Sequence, residues 1–283
     1  MTREIRRDPH LDTVVHIVAD RQHRPNLPST DCPFCVGGLE APEPYEVRAF
    51  PNRWPALQPG YCEVVLYTPD HDASFASLGA QGISRVIDLW SERTTALREL
   101  PDGEYIIVFE NRGAEIGATI SHPHGQIYAF DHVPHRQQRQ LDAHWSPELV
   151  SGDREVLVHN GWKVWTEFAS VHPVSLRIAP LERVADLPSM SDSQRSDLAD
   201  VLARVFSAFE TLFDAPAPYM MWLNQSPRTS SRWPQAWFNI EIVSPWRTTG
   251  VPRYIAAVEV ASEEYFNPVD PADVAQRLRI ALT

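Results

Sequence analysis

The chain has 283 residues, enough for one large or two ordinary domains at roughly 150 residues each. Hydrophobic residues make up 43% and charged residues 22%, which is an ordinary globular composition and excludes disordered and fibrous classes. Twenty-five basic residues against thirty-seven acidic ones leave a net charge of −12, which opposes nonspecific attraction to nucleic acid or anionic membranes, so neither is expected as a partner and a phosphorylated ligand needs a local basic pocket.

The charged start Met1-Thr2-Arg3-Glu4-Ile5-Arg6-Arg7 leads into no apolar stretch, and no run of about eighteen apolar residues occurs, so the cytoplasm is the expected location. Extended segments are predicted at Thr13 to Ala19, Tyr45 to Phe50 and Glu63 to Tyr67, each bounded by Pro, Gly, Asn or Asp. From Ile83 to Leu100 the apolar residues Ile83, Val86, Ile87, Trp90 and Leu97 recur at helical spacing, and Pro101-Asp102-Gly103 stops the helix. Strands resume at Tyr105 to Glu110 and Gln126 to Phe130. The stretch from Asp131 to His144, rich in His, Arg and Gln and interrupted by Pro134, reads equally as a helix or a linker.

The remainder repeats this order. Extended segments near Trp162 to Phe168 and Leu176 to Ala179 precede a helix from about Asp192 to Phe213, then strands at Tyr219 to Asn224 and Trp237 to Val243. Ile106-Ile107-Val108-Phe109 matches Met220-Met221-Trp222-Leu223, and His122 to Phe130 matches Trp237 to Pro245, at nearly one offset, as in a duplication. Asn239 and Glu241 then stand where His124 and Gln126 stand, so only the first half is armed. A strand from Arg253 to Val260 and a helix from about Ala272 to Leu282 complete an α+β fold: two related halves, residues 1–145 and 146–283, with antiparallel sheets each carrying a long helix.

Nucleotidyl transfer needs a nucleophile aimed at phosphorus, donors for charge developing on its oxygens, and close approach of the chain to the phosphate. Ser121-His122-Pro123-His124-Gly125-Gln126 offers all three. Pro123 biases His122 towards extended backbone, and Gly125 would let the chain approach a ligand. In a strand His122, His124 and Gln126 share one face. A neutral imidazole is a competent nucleophile, and a carbonyl or carboxylate on its other nitrogen can fix the tautomer. Gln126 can donate to a phosphate oxygen but cannot serve as a general acid, which suits passing a group on rather than activating water. The plain alternative is a pair of surface loop histidines.

Upstream, Phe109-Glu110-Asn111-Arg112-Gly113 is followed by Gly117 and Thr119, and with the histidines it resembles galactose-1-phosphate uridylyltransferase of the histidine-triad superfamily. Arg112 replaces that pattern's lysine. The resemblance implies that His124 accepts the uridylyl group of UDP-glucose, that Gln126 holds the intermediate, and that Asn111, Gly117 and Thr119 lie at the phosphates. Arg21 and Arg24 resemble the Arg-x-x-Arg-Pro arginines that reach substrate phosphates, as guanidinium forks are suited to do. Phe50 and Asn52 fall at the nucleoside pocket, where Trp54 could equally be a core aromatic.

Cys32-Pro33-Phe34-Cys35 is a Cys-x-x-Cys pair, and two nitrogen ligands would complete a closed structural Zn²⁺ site. By the resemblance these are His71, in Thr68-Pro69-Asp70-His71, and His122; the plain alternative is two buried thiols, and the third cysteine, Cys62, reads as buried. Asn239 and Glu241 replace a late His-x-His pair of the family, so a second metal is not expected. Arg253 and Glu259 fall in a segment resembling the hexose-binding stretch, with altered surroundings. The implied activity is ping-pong transfer of UMP between UDP-glucose and a hexose 1-phosphate by a homodimer with shared sites. Its rivals are a phosphorylase or nucleotidyltransferase acting on another nucleotide or sugar phosphate, and a noncatalytic zinc-stapled nucleotide-binding module.

Overall fold

The computed structural model describes residues 3–18 and 32–283. Its centre is one nine-stranded antiparallel sheet built from β3 (Arg48–Pro51), β4 (Cys62–Leu66), β5 (Tyr105–Arg112), β6 (His124–Phe130), β7 (Glu155–His159), β8 (Trp162–Thr166), β9 (Val174–Pro180), β10 (Tyr219–Asn224) and β11 (Asn239–Ser244). The strand order is β3-β4-β6-β5-β10-β11-β9-β8-β7. From the join outward the first half contributes β5-β6-β4-β3 and the second β10-β11-β9-β8 in matching order, with β7 added at the far edge, and the β5–β10 pair, with Asn111 opposite Met220, joins the two runs. The halves therefore share one sheet rather than keeping separate ones, and the join pairs two edges that would otherwise stay open.

Helices α1 (Gly79–Arg98) and α3 (Asp192–Glu210) lie side by side on one face. The α1 stripe of Ile83, Val86, Ile87, Trp90 and Leu97 is buried, as its spacing predicts. Ser191 starts α3 with a reciprocal cap: its hydroxyl accepts from the Gln194 amide at 3.2 Å while the Gln194 side chain accepts from the Ser191 amide at 2.9 Å. The core beneath these helices runs continuously through both halves. Along β6 the alternation sends Gly125, Ile127 and Ala129 into that core, and His124, Gln126 and Tyr128 to the opposite face.

The sheet register refines the duplication. Gln126 pairs across from Phe109, and Glu241 from Trp222, so Phe109 corresponds to Trp222 and not to Leu223 as the sequence match has it. With a side-chain period of two, a one-residue slip would have put an outward position on an inward one. The ambiguous stretch after β6 folds into α2 (His135–Asp142). A separate hairpin pairs β1 (Arg3–Arg7) with β2 (Val14–Val18); β1 escapes sequence reading because it is almost all charged.

The strand expected at Arg253 to Val260 is not formed. The chain there makes the short β12 (Trp246–Thr248) and β13 (Val251–Pro252), then a helical turn α4 (Ala257–Ser262), before α5 (Pro271–Ala281). Glu259 reaches back to accept from the Ala256 amide at 2.7 Å, and this cap overrides the apolar alternation that suggests a strand.

Candidate active site

His124 opens β6 at the mouth of a cavity of about 430 Å³ lined by His71, Asn111, Arg112, Thr119, His122 and His124, among others. Its Nδ1 lies 2.7 Å from the His122 carbonyl oxygen. A carbonyl only accepts, so Nδ1 carries the hydrogen and Nε2 carries the lone pair: the tautomer a nucleophile needs. The Phe34 ring stands edge-on to the imidazole at 5.0 Å and restricts its rotation.

Two residues on, Gln126 shares that face. Its Oε1 accepts from Asn52 Nδ2 at 3.1 Å and from the Tyr128 hydroxyl at 3.3 Å, which turns the amide hydrogens outward as donors. Asn52 is itself fixed, its Oδ1 accepting from the Trp54 amide at 2.9 Å. The sequence links Asn52 to a nucleoside pocket; the structure ties it directly to Gln126. Phe50 packs on Phe34 with ring centres 5.9 Å apart.

The reading of Gly125 is corrected. A Cβ there would meet the Tyr67 hydroxyl at 2.0 Å, from the helix side of the sheet. The glycine is needed for a tyrosine packed behind the nucleophile, not for a ligand approaching in front.

Beside His124 the ligand atoms of Cys32, Cys35, His71 and His122 all lie within 4.8 Å of one another. Cys35 Sγ is 3.5 Å from His71 Nδ1 and 3.7 Å from His122 Nδ1. Tetrahedral zinc, with sulfur at about 2.3 Å and nitrogen at about 2.0 Å, places neighbouring ligands about 3.5 Å apart, so the donor set fits that ion. His122 Nε2 lies 2.8 Å from the Thr68 carbonyl oxygen and 3.0 Å from the Tyr45 hydroxyl. It donates to the carbonyl, leaving Nδ1 to face the thiols, and burial lowers the His122 pKa, which favours the neutral ligand form. Gly38 closes the cysteine knuckle; a Cβ there would come within 2.8 Å of three backbone oxygens.

Asn111 and Thr119 line the cavity, while Gly117 closes the turn Ala114–Ile116 just ahead of Ala118 and Thr119. Arg112 also lines it, held at 3.0 Å by Glu210. Arg21 and Arg24 lie outside the described residues. Arg253 and Glu259 are brought to each other and not to the cavity: they form a buried ion pair, and Glu259 also accepts from the Phe266 amide at 2.8 Å. Sequence reasoning missed Phe34, Tyr45 and Tyr128 as supports. Phe34 was legible only as the residue inside the cysteine pair, and nothing local marks Tyr45.

An antiparallel fold that holds one histidine by its Nδ1 at a cavity, on the same strand face as an oriented amide, is the arrangement of a nucleotidyl-transfer type of site. Residues 45–134 match the family profile described as galactose-1-phosphate uridyl transferase, N-terminal domain. A galactose-1-phosphate uridylyltransferase of Thermotoga maritima is 33% identical, with 98% of each chain covered. One from Streptomyces lividans is 36% identical over 80% of this chain and 71% of its own. A solved uridylyltransferase structure superposes with a TM-score of 0.88 at 25% identity, covering 99% of this chain and 98% of that one. An Arabidopsis thaliana ADP-glucose phosphorylase shares the fold, with a TM-score of 0.77 at 23% identity, covering 98% of this chain and 99% of that one. The chain belongs to the galactose-1-phosphate uridylyltransferase family. Among the described residues no helix is long and apolar enough to cross a membrane.

Proposed function

We propose that the protein moves a uridylyl group between UDP-glucose and a hexose 1-phosphate, galactose 1-phosphate first among them, through a covalent adduct on His124. The observation that carries this is the His124 imidazole, held at Nδ1 by the His122 carbonyl with Nε2 left as nucleophile at the cavity. Nε2 attacks the α-phosphorus, an Nε2–P bond forms, and the P–O bond to glucose 1-phosphate breaks with its electron pair leaving on that oxygen. The Nδ1 hydrogen stays in place, and the carbonyl stabilises the positive charge that develops on the ring. Gln126 donates to the phosphoryl oxygens as their charge shifts. A phosphate oxygen of the second sugar phosphate then attacks phosphorus, and the N–P electrons return to Nε2. No proton is gained or lost in either half, so no separate general base is required.

In this reading Asn111 and Thr119 hold phosphate oxygens, with Arg112 supplying the local positive charge that an acidic protein otherwise lacks. Phe50 and Asn52 flank the nucleoside, and Arg21 and Arg24 reach the phosphates. Cys32, Cys35, His71 and His122 hold structural Zn²⁺, which would brace the backbone whose carbonyl orients His124. Residues 1–145 act as the catalytic half and 146–283 as its degenerate partner. The protein works in the cytoplasm as a homodimer. The exposed apolar residues Phe168, Tyr254, Val258, Val260 and Phe266 offer the contact, carrying Arg253 and Glu259 towards the sugar end of the other copy's site.

The test is incubation with UDP-glucose labelled in the α-phosphate, followed by intact-mass and acid-lability measurements. A stoichiometric uridylyl adduct, absent in His124→Ala and discharged by galactose 1-phosphate, is the expected result. Discharge only by orthophosphate would reassign the acceptor, and no adduct from any activated nucleotide would leave a binding module as the better account.

A further inference from the structure

One buried acid takes no part in the scheme above. Glu110, on β5, is 4% exposed. Its Oε1 accepts from the Tyr219 hydroxyl of β10 at 2.7 Å, whereas its Oε2 has no hydrogen-bond partner among the described residues. The hydroxyl of Tyr67, the residue just after β4, is likewise buried and unpartnered, and this is the group that fills the space behind Gly125. Tyr67 is wedged edge-on between Phe75 and Trp90, so the phenol cannot withdraw from that space. The Arg112 guanidinium lies 5.9 Å over the Tyr219 ring, and Glu110, Arg112 and His124 all line the one cavity.

We propose that Glu110 is a positioning residue for the transfer reaction: with Tyr67 and Tyr219 it forms a polar wedge behind Gly125 that sets where His124 projects towards the phosphates. The proposal rests on the uridylyl-transfer reading of His124. A side chain at 125 would collide with this wedge, so the strand can hold the nucleophile in register only while the wedge is in place. Small displacements matter because in-line attack tolerates an error well under 1 Å.

The two phenols can donate to either form of the carboxyl and by themselves favour the charged one, while burial favours the neutral one. The neutral form can satisfy the orphaned phenol without placing a negative charge beside a cavity meant for phosphates. The charged and titratable groups around it are Tyr67 just after β4, Tyr219 on β10, Arg112 on its own strand, Glu210 on α3, which pairs with Arg112, and His124 of β6 across the shared cavity. Trp90 of α1, which packs on Tyr67, is uncharged. Burial pushes the Glu110 carboxyl up to about 7, against the opposing pull of the Tyr219 hydroxyl and the Arg112 charge.

The experiment measures the rate of adduct formation from UDP-glucose in single turnovers between pH 6 and 9, for the wild type, Glu110→Gln and Glu110→Leu. The wild-type rate is expected to fall about tenfold per pH unit above about 7, and Glu110→Gln, which cannot ionise, to lose that limb. Glu110→Leu is expected to lose about tenfold or more in rate while KM for UDP-glucose shifts by less than about threefold. The same alkaline limb in Glu110→Gln as in the wild type overturns the proposal, and this comparison decides alone if Glu110→Leu fails to fold. If the wild type forms no adduct, the reading of His124 has failed separately. The ¹⁵N-histidine spectrum then decides: a difference between the wild type and Glu110→Gln in the His124 ring signals that grows from pH 6 to pH 9 supports the wedge, and identical spectra overturn it.

Discussion

The open face of β6 and the matching face of β11 show how one duplicated platform takes two fates. On β6, His124 lines a cavity and Gln126 shares its face of the sheet. On β11, Asn239 and Glu241 occupy the same positions beneath α2, and every polar group there is used internally. Glu241 accepts from Arg136 at 2.8 and 2.7 Å, from Trp222 Nε1 at 3.0 Å and from Asn224 at 2.9 Å, and pairs with Arg177 at 2.9 Å. Arg177 in turn donates to Asn239 at 2.6 Å and pairs with Glu167. Burial pushes the Glu241 carboxyl up, but Arg136 and Arg177 outweigh it and hold it below the usual carboxylate range. The second platform has become a closed ion-pair network, whereas His124 on the first lines a cavity, so the two halves differ in side-chain chemistry rather than in fold.

The sharpest test of that contrast is paired substitution. His124→Ala is expected to abolish the adduct and lower turnover by about 10⁴-fold or more, whereas Asn239→Ala leaves adduct formation within about twofold. Labelled UDP-glucose and intact mass read both. At the next positions, Gln126→Ala is expected to cost about 10²-fold in transfer rate, as loss of one preorganised donor does elsewhere. Glu241→Ala would instead leave the buried Arg177 with Glu167 as its remaining carboxylate and take from Arg136 its ion-pair partner, at a cost of up to about 3 kcal/mol of stability, read by urea unfolding, with the transfer chemistry of the surviving folded protein intact. Equal losses of rate at both positions would mean the second half is not merely structural.

The metal site divides the halves again, because the described residues bring together only one such cluster, in the first half. Cys35→Ser is expected to lower zinc content, measured by emission spectrometry, and to lower Tm. The transfer rate should fall about tenfold through loosening of the His122 carbonyl. Unchanged zinc content would remove the ion from the account.

Much of this arrangement was legible before any coordinates. Helical spacing placed α1 and α3, and the period of two in His-Pro-His-Gly-Gln placed His124 and Gln126 on one face of a strand, because both depend on neighbours within a few residues. What stayed hidden depends on distant chain. That Tyr67 lies behind Gly125, that Asn52 fixes Gln126, and that Arg136 of α2 reaches Glu241 are consequences of sheet order, which no local period encodes. The C-terminal stretch misled for the opposite reason: a local cap by Glu259 defeated an alternation that looked like a strand.

The smallest expected effect sets the two buried glutamates against each other, since pH should act on them with opposite sign. The folded carboxyl of Glu110, pushed to about 7, lies above its ordinary value of 4.5, so between these pH values the folded chain keeps a proton that the unfolded chain has lost. Stability from this group therefore falls as pH rises through that window and levels off above about 7, by an amount of at most about 3 kcal/mol. Glu241, held below its ordinary value, contributes stability that is present above about 4.5 and lost as pH falls through its folded pKa. Urea midpoints at pH 5 and pH 8 separate the two. Glu110→Gln should remove part of the decline from pH 5 to pH 8, while Glu241→Gln, lacking the charge that Arg136 and Arg177 surround, should lose more at pH 8 than at an acid pH where the wild-type carboxyl is itself protonated. A Glu110→Gln variant that declines as steeply as the wild type would show that the first half carries no buried acid of this kind, and the contrast between the two faces would then rest on His124 and Gln126 alone.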